Sequence, residues 1–476
     1  MNLKPEERKV GRANYESAVA TTRRDFLKAA AVAPVAGAFY FGYERLEGEP
    51  VRAAIIGTGN EGNVLIRESN PDYLRYVAFS DVRPSNQQKA RKTFSEKYGS
   101  EADQIELAED YHDLLKRDDI EMIVIALPLH LHAPVTIEAL NAGKHVFCEK
   151  LMARTVKQCK DMGRAANVSG KLLAIGHQRH YSALYDNTLH LVRQGLLGDI
   201  KYIRALWHRN QTWPGRDGWK PEIPDSDRDV DFKKHGYNSL EELVQWRLHR
   251  RTSGGLMAEL GSHQLDAAGL FLSARYGEKL RPLAVSGVGG KYYFSDDREV
   301  DDHVYVTFEF PQGVVLTYTS ICTNAFESYG ETLMGTRGTL IVEREKEAML
   351  FKEPDPNIGE AGAREMTVGV TQTQGGAALQ AAESPALGSG RAEAAQTAGG
   401  DVVSRGYKEE LEDFAYCIRN PESGHLPRCN PQVALADAIY ALTANEAMLR
   451  KQRIEFQDSW FDIDSDDAPE LEPVIA

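Results

Sequence analysis

From residue 51 onward, short apolar runs alternate with stretches in which apolar residues recur at helical spacing. The apolar runs are short enough to be strands and carry few polar residues, which is typical of parallel strands buried on both faces. Strands that alternate with helices predict a doubly wound α/β domain over residues 51–170. These strands lie within VRAAIIG, YVAFSD, EMIVIALP and HVFCEK.

After KLLAIGHQ the apolar segments become longer and alternate between apolar and polar residues. Such alternation is typical of strands with one face on a core and one face in solvent. We therefore predict an α+β domain over residues 171–456, with a large, open and mainly antiparallel sheet closed by two helices. The strands lie within IKYIRALWHR, AVSGVGGKYYF, DHVYVTFEF and GVVLTYTSICT, and the helices within YKEELEDFAYCIRN and QVALADAIYALTANEAMLRK.

Two later segments stand apart from this pattern. Residues 357–402 are rich in Gly, Ala, Gln and Ser, so they have little to bury and are predicted to form a mobile, low-complexity insertion. Residues 457–476 are assigned to a C-terminal tail.

Residues 1–50 carry the features of an export signal and a linker. The pair Arg23-Arg24 precedes the letters FLK and an apolar run that is shorter than the roughly 20 residues of a membrane span. The triplet Ala36-Gly37-Ala38 fits a signal-peptidase site, with cleavage at its end. The order of these features resembles a twin-arginine signal, which carries folded proteins and implies a periplasmic or otherwise exported protein without an integral span after signal removal. The alternative is a basic N-terminus whose arginine pair is coincidental.

Length, charge and cysteine content narrow the class of partner. The 476 residues suit two domains, and 42% of them are hydrophobic. A net charge of −14 would repel nucleic acid and anionic lipid, so a small-molecule partner is expected. Five scattered cysteines without a C-x-x-C pair indicate neither a disulfide framework nor a zinc cluster.

A glycine-rich turn follows the first strand directly and precedes a helix-compatible stretch. In such a G-x-G-x-x-G turn the backbone approaches a pyrophosphate at a helix N-terminus. Asp81 follows the next strand, 19 residues after the last glycine, where a carboxylate accepts hydrogen bonds from the adenosine ribose and disfavours a 2′-phosphate. NAD is therefore the predicted cofactor, with NADP kept as an alternative because Arg83 lies nearby. The turn residues are Gly57, Thr58, Gly59, Asn60, Glu61 and Gly62.

Further motifs resemble the glucose-fructose oxidoreductase and inositol dehydrogenase family (Gfo/Idh/MocA). Leu127, Pro128 and His132 stand where that family has T-P-N-x-x-H, and Glu149-Lys150 stands where it has E-K-P, with Leu for the Pro. The segments GHQRHY, GGLMAELGSHQLD and MGTRGTLIV extend the resemblance to most of the chain after residue 51. The resemblance implies a Rossmann NAD(P)-binding domain and a C-terminal α+β domain. It also implies cofactor contacts from Leu127, Pro128, His132, Glu149 and Lys150.

The resemblance also implies the catalytic residues. The family's E-K-P lysine lies beside the reacting carbon, so Lys150 is expected to stabilise alkoxide charge. A carboxylate and a histidine stand four residues apart in the family, as Glu259 and His263 do here. On a helix they would share a face, so that the carboxylate orients the imidazole that accepts a hydroxyl proton. The family has Asp rather than Glu, which leaves another role for the longer carboxylate open.

The cleft residues expected from the resemblance follow KLLAIG. Gln178 is assigned to the cofactor, and Arg179 and Tyr181 to the substrate. The histidines at 130, 132 and 180 lack a supporting carboxylate arrangement, so no metal is predicted.

An insertion over residues 207–251 holds four of the five tryptophans. Trp213 and Trp219 are assigned to the substrate site because flat aromatic faces pack on sugar C–H groups. The alternative is that these tryptophans form a core beneath the insertion.

The resemblance implies an NAD(P)-dependent oxidoreductase that removes hydride from a hydroxyl carbon of a sugar, polyol or glycoside. An exported enzyme would keep its cofactor tightly bound. One alternative is a redox-neutral NAD-dependent glycosidase or lyase that acts through a transient 3-keto sugar; another is a non-catalytic NAD-binding sensor. A homo-oligomer is expected because an open sheet face is often covered by a second subunit in this family.

Overall fold

A computed structural model describes residues 3–29, 40–277, 280–353, 367–373, 376–382 and 404–470. The strands of these residues form two large sheets and one two-stranded ribbon. The α-helices in this part of the chain are α1 Pro5–Ala29, α2 Asn60–Glu68, α3 Pro84–Tyr98, α4 Tyr111–Leu115, α5 His132–Asn141, α6 Val156–Ser169, α7 Ala183–Arg193, α8 Leu240–Val244, α9 Ser262–Tyr276, α10 Tyr407–Arg419 and α11 Pro431–Arg450.

The first sheet has six parallel strands in the order β3-β2-β1-β4-β5-β6. The strand order reverses between β1 and β4, and ligands of such sheets bind outside the carboxyl ends of the strands at this point. Strands β4 and β6 are buried at every position because helices cover both faces, which confirms the predicted Rossmann domain. The strands are β1 Val51–Ile56, β2 Leu74–Ser80, β3 Glu106–Leu107, β4 Met122–Ile125, β5 His145–Glu149 and β6 Leu173–Gly176.

The second sheet has eight strands in the order β13-β12-β11-β7-β10-β9-β8-β16. Only β7 and β10 pair in parallel within it, so the predicted mainly antiparallel sheet is confirmed. Burial alternates strictly along β10, as expected for a sheet with one face on the core. The strands are β7 Ile200–His208, β8 Ala284–Gly290, β9 His303–Phe310, β10 Val314–Ile321, β11 Tyr329–Gly335, β12 Gly338–Glu343, β13 Glu347–Lys352 and β16 Ile454–Glu455.

Two segments lie on a different side of the domain boundary than the sequence predicted. Strand β6 pairs with β5, so the first sheet extends past the predicted boundary at residue 170. Helix α10 was expected in the second domain, but Leu411 and Phe414 pack in the core of the first sheet. The apolar face of α10 thus returns the chain to the first domain before α11 and β16 lead back to the second.

The N-terminal residues contact both domains. Helix α1, which contains the twin-arginine pair, lies along β13, where Asn14 Nδ2 donates to the carbonyl of Leu350 at 2.9 Å. Phe41 and Tyr43 pack in the core of the first sheet. The predicted cleavage triplet at residues 36–38 lies outside the described residues. Among the described helices, none combines the length and the apolar character needed to cross a bilayer.

The two segments that broke the sequence pattern also contain structure. Strands β14 Thr367–Thr373 and β15 Gly376–Ala382 pair antiparallel within the predicted insertion, and its other residues lie outside the described part of the chain. In the C-terminal tail, Trp460 and Phe461 are buried. Lys160 of α6 donates to three carbonyls of this tail, which fastens it to the first domain.

Candidate active site

The glycine-rich turn has the close packing that a dinucleotide site requires. Gly57 has a φ of +90°, and a Cβ atom there would lie 2.4 Å from the carbonyl oxygen of Ala126. A Cβ atom on Gly62 would lie 2.2 Å from the carbonyl oxygen of Gly57. A Cβ atom on Gly59 would come no closer to another residue than 3.9 Å, to Asn86 Nδ2, which leaves open space at the start of α2. The turn thus fits a pyrophosphate at a helix N-terminus.

Asp81 ties the end of β2 to this turn. Its Oδ2 accepts a hydrogen bond from the backbone N–H of Thr58 at 2.7 Å, and its Oδ1 accepts one from the N–H of Arg83 at 2.9 Å. Burial raises the pKa of Asp81 although these hydrogen bonds and the nearby Arg83 oppose the shift. The carboxylate lies where an adenosine ribose is expected, two residues before Arg83, whose guanidinium binds Asp227.

The other polar residues of the turn differ in their surroundings. Asn60 is exposed and accepts a hydrogen bond from Lys89. Glu61 Oε1 is buried without a hydrogen-bond partner among the described residues.

At the ends of β4 and β5, His132 joins two loops. Its Nδ1 lies 2.8 Å from the carbonyl oxygen of Leu151, and its Nε2 lies 2.9 Å from that of Leu127. Burial lowers the pKa of His132, although its contacts with the two carbonyl oxygens oppose the shift. In this structure His132 therefore fixes the loop that contains Pro128 rather than reaching into open space.

Glu149 and Lys150 lie at the carboxyl end of β5, next to the switch point. Glu149 Oε1 is buried and has no hydrogen-bond partner among the described residues. Burial, and after it the charge of Glu61, raises the pKa of Glu149 well above its usual value. A protonated carboxyl donates as well as accepts, so it fits a cofactor hydroxyl group. Lys150 Nζ donates to the carbonyl oxygen of Glu259 at 2.9 Å.

Glu259 and His263 lie at a break in helical geometry. Residues Met257–Gly261 form a π-helix that continues directly into α9, so His263 is the second residue of α9. A π turn inside a helix is frequent at functional sites. A Cβ atom on Gly261 would lie 3.0 Å from the ring of Tyr318, so the close packing of the π turn on β10 requires glycine there.

The prediction that the Glu259 carboxylate holds the His263 imidazole is wrong, because this carboxylate binds other residues. The Glu259 carboxylate binds Arg247 Nε at 3.0 Å and accepts a hydrogen bond from Ser253 at 3.3 Å. A guanidinium attracts a carboxylate more strongly than a neutral imidazole does, which explains the choice of partner. His263 Nδ1 is buried and has no hydrogen-bond partner among the described residues. Burial, and after it Lys150 and Arg179, holds the pKa of His263 well below its usual range.

Two residues that were assigned to the substrate lie in buried polar networks instead. Arg179 donates to Glu345 at 2.8 Å, to Glu331 at 2.7 Å and to the carbonyl of His263 at 2.7 Å. Tyr181 donates its hydroxyl to Asp413 at 2.5 Å. Arg179, Tyr181 and the neighbouring Gln178 are each no more than 3% exposed. The structure therefore places Arg179 behind His263, where it holds the backbone of α9.

The tryptophans of the insertion are divided between the surface and the core. Trp213 is 65% exposed, whereas Trp219 is 6% exposed and packs under the guanidinium of Arg209. The aromatic ring next to His263 is that of Trp207, with ring centres 5.5 Å apart. Trp207 stacks on Tyr329 of β11 at 4.5 Å. Sequence reasoning missed Tyr329 because only the pairing of β11 with β7 brings it to this site.

Within the described ranges, three groups of buried or half-buried side chains lie close enough together to bind a metal ion. Two of them share Asp437, and in one of these His180 Nε2 lies 2.7 Å from Asp266. The prediction that no metal is bound stays a prediction. The groups are His177–Cys429–Asp437, His180–Asp266–Asp437 and Asp413–Cys417–His425.

Comparisons with known proteins agree with this geometry. The pattern of the "Oxidoreductase family, NAD-binding Rossmann fold" matches residues 51–177, and that of the "GFO/IDH/MocA C-terminal domain" matches residues 230–341. A glycosyl hydrolase family 109 protein of Stenotrophomonas maltophilia is 25% identical over 66% of this chain and 68% of its own length. Inositol 2-dehydrogenase of Salmonella paratyphi B is 30% identical over 34% of this chain and 48% of its own length.

Solved structures share the fold over most of the chain. Aldose-aldose oxidoreductase from Caulobacter crescentus, complexed with glycerol, has a TM-score of 0.57 and 22% identity, and covers 86% of this chain and 100% of its own. Levoglucosan dehydrogenase with NADH and levoglucosan has a TM-score of 0.58 and 18% identity, with 86% and 99% covered. This chain spans about half to two thirds of the length of the curated relatives that it matches. It carries the NAD-binding and C-terminal domains of the Gfo/Idh/MocA oxidoreductases and belongs to that family.

Proposed function

We propose that the protein is an NAD-dependent oxidoreductase that oxidises a hydroxyl-bearing carbon of a sugar, polyol or glycoside. The observation that carries this proposal is that Lys150, at the end of β5, binds the π turn that leads into His263, whose buried imidazole is kept neutral by burial and by the charge of Lys150. Both residues come from segments that the sequence assigned to the chemistry, and they lie in different domains. The similarity to an inositol dehydrogenase and a levoglucosan dehydrogenase supports a substrate with several hydroxyl groups.

The chain offers a separate group for each part of the cofactor. The turn between Gly57 and Gly62 would hold the pyrophosphate, Asp81 the adenosine ribose and Glu149 the nicotinamide ribose. NAD, when bound, supplies the acceptor for a hydride from the carbon that carries the reacting hydroxyl group.

His263 and Lys150 act on the oxygen of that hydroxyl group. The low pKa of His263 keeps its imidazole neutral, so that the ring accepts the hydroxyl proton as the carbonyl forms. One N–H group of Lys150 donates to the carbonyl of Glu259, and the other two are left to stabilise negative charge on the substrate oxygen. Trp207, stacked on Tyr329, gives this space an apolar wall suited to the C–H face of a sugar ring.

The experiment starts from protein purified without added nicotinamide. After denaturation, released NAD or NADP is identified, and the native protein is tested on sugars, polyols and glycosides while NADH and free sugar are both followed. Accumulation of NADH with a keto product is expected. A protein that binds no dinucleotide and oxidises none of these substrates contradicts the proposal.

Variants test the two residues directly. Lys150→Ala should lower kcat about 10²- to 10³-fold with NAD affinity within about twofold, because it removes a donor to transition-state charge. Lys116→Ala is the matched control, since it removes the same charge from an exposed helix end. Normal turnover in Lys150→Ala refutes its role.

A second candidate is redox-neutral cleavage of a glycoside through a transient ketone. The glycosyl hydrolase family 109 relative, aligned over 66% of this chain, favours it. Release of free sugar without net NADH distinguishes this reaction from the dehydrogenase.

Export through the twin-arginine pathway belongs to the same proposal. Arg23-Arg24 and the triplet at residues 36–38 support it, and a retained cofactor would fit both redox schemes because free NAD is scarce outside the cytoplasm. Fractionation of cells that express the full chain tests the location, and Arg23→Lys with Arg24→Lys should hold the protein inside. A homo-oligomer is proposed as well, and its test is the mass of the native protein in solution.

A further inference from the structure

The insertion between β7 and α8 reaches back to the first domain at the adenosine end of the proposed cofactor site. Asp227 ends a short turn, Asp225–Asp227, and is fully buried. Its carboxylate lies against the start of α3, the helix that follows β2 and Asp81. A carboxylate from the second domain therefore occupies the edge of a site that the first domain otherwise forms alone.

Three donors of the first domain bind the Asp227 carboxylate. Oδ1 accepts from the backbone N–H of Ser85 at 2.8 Å. Oδ2 accepts from the Ser85 hydroxyl at 2.6 Å and from Arg83 Nε at 2.8 Å. A guanidinium, a hydroxyl and an N–H in the first turn of a 15-residue helix together form a set that binds phosphate oxygens.

The position of these donors relates them to the ribose. Asp81, the expected acceptor of the ribose hydroxyls, accepts the backbone N–H of Arg83, so the donors begin two residues past the ribose acceptor. In dinucleotide domains an arginine near this place receives the 2′-phosphate of NADP. The donors that a 2′-phosphate needs are present here, and Asp227 already uses them.

We propose that Asp227 is a specificity-determining residue that occupies the 2′-phosphate site and thereby restricts the enzyme to NAD. The inference rests on the proposed dinucleotide binding and extends it to a residue outside the Rossmann domain. Rejection then has two causes, because a 2′-phosphate would have to displace the carboxylate and would meet the negative charges of both Asp81 and Asp227. Arg83, which by itself suggests NADP, is neutralised by its partner.

The charge state of Asp227 fits this role. Burial favours the neutral form, but the hydrogen bonds from Ser85 and Arg83 outweigh burial and lower the pKa of Asp227. The carboxylate is therefore ionised at neutral pH. The same contacts would also be present if Asp227 served only to attach the insertion to the first domain. Measured affinities for NAD and NADP distinguish this structural role from a role in cofactor specificity.

The test compares binding of NAD and NADP to the full chain by calorimetry, without substrate. Asp227→Ser should raise the affinity for NADP relative to NAD about tenfold or more, since it frees Arg83 and Ser85 and removes one negative charge. Adding Arg83→Ala to this variant should remove most of the gain. Asp225→Ser is the matched control because Asp225 carries the same charge in the same turn but is 91% exposed and pairs only with Arg228 among the contacts described.

The outcomes separate the possibilities. Asp227→Asn keeps the size of the side chain and loses its charge, so a smaller shift in the same direction, about threefold, is expected even if the serine variant folds poorly. Unchanged NADP discrimination in Asp227→Asn and Asp227→Ser, with NAD still bound, overturns the inference and leaves the proposed function intact. An equal shift in Asp225→Ser also overturns it, since general charge would then be responsible. Failure of the unmodified protein to bind either cofactor contradicts the proposed function itself.

Discussion

Replacing Arg179 with methionine tests whether this residue contacts substrate or supports the fold. Its guanidinium is 1% exposed and pairs with Glu331 and Glu345, which are also buried. Glu345 retains Arg405 after the substitution, whereas Glu331 retains only the hydroxyl of Tyr185. The largest effect is therefore expected at Glu331.

The magnitude follows from proton uptake. Burial already raises the pKa of Glu331 from the usual 4.5 against the opposing effect of Arg179. Without Arg179 the folded protein would keep Glu331 protonated at pH 7, whereas the unfolded chain ionises it. At 1.36 kcal/mol per pKa unit, this difference costs up to about 3 kcal/mol at pH 7 and less than about 1 kcal/mol at pH 5. Since the folded pKa is raised, the destabilisation grows as the pH rises above 4.5.

Urea unfolding followed by fluorescence at both pH values measures this difference. Arg405→Met is the control, because Arg405 is 43% exposed and its removal leaves Glu345 paired with Arg179, so it should cost less than about 1 kcal/mol. The reasoning is refuted if Arg179→Met unfolds like the unmodified protein at pH 7. A normal stability combined with a much higher KM would instead place Arg179 in the substrate cleft, as the sequence suggested.

Two further predictions address the turn and the insertion. Gly62→Ala should weaken NAD binding at least about tenfold in a calorimetric titration, because its Cβ would meet the carbonyl of Gly57 at 2.2 Å, whereas Gly218→Ala, with no atom within 4 Å, should leave it unchanged. Trp219→Ala should lower the free energy of unfolding by about 3 kcal/mol or more since the ring is buried, whereas Trp213→Ala should alter it by less than about 0.5 kcal/mol; similar losses in both variants would contradict this division.

The sequence predicted those parts of the fold that depend on local pattern. Apolar runs such as the one over β4 and the glycine turn after β1 carry their own signal, so the first domain and its cofactor turn were recognisable. The boundary was wrong because an apolar run like that of β6 looks the same in either sheet, and only its pairing with β5 decides. The same limit applies to α10. Its apolar face indicates that another part of the protein covers the helix, but the sequence does not indicate which part.

The site was predicted less completely, because the choice of partner for a polar side chain depends on distant residues. Lys150 binds the carbonyl of Glu259 in the turn that leads into His263, yet the Glu259 carboxylate binds Arg247 from the insertion. Arg179 follows β6, the strand expected to lead into the cleft. Its side chain is nevertheless buried, because it pairs with Glu331 of β11 and Glu345 of the turn after β12. Asp227 carried no motif at all, and only tertiary structure places it beside Arg83.

The π turn at residues 257–261 makes the active site sensitive to chain length. A π turn contains about one residue more than an α-helical turn, so loss of a single residue there would let regular α-helix form and rotate one side of the site by about 100° against the other. The carbonyl of Glu259 that receives Lys150 lies within this turn, and His263 lies just after it. The spacing between His263 and the Lys150 ammonium group thus depends on the number of residues in this turn, and a one-residue deletion would separate the two groups without altering either side chain.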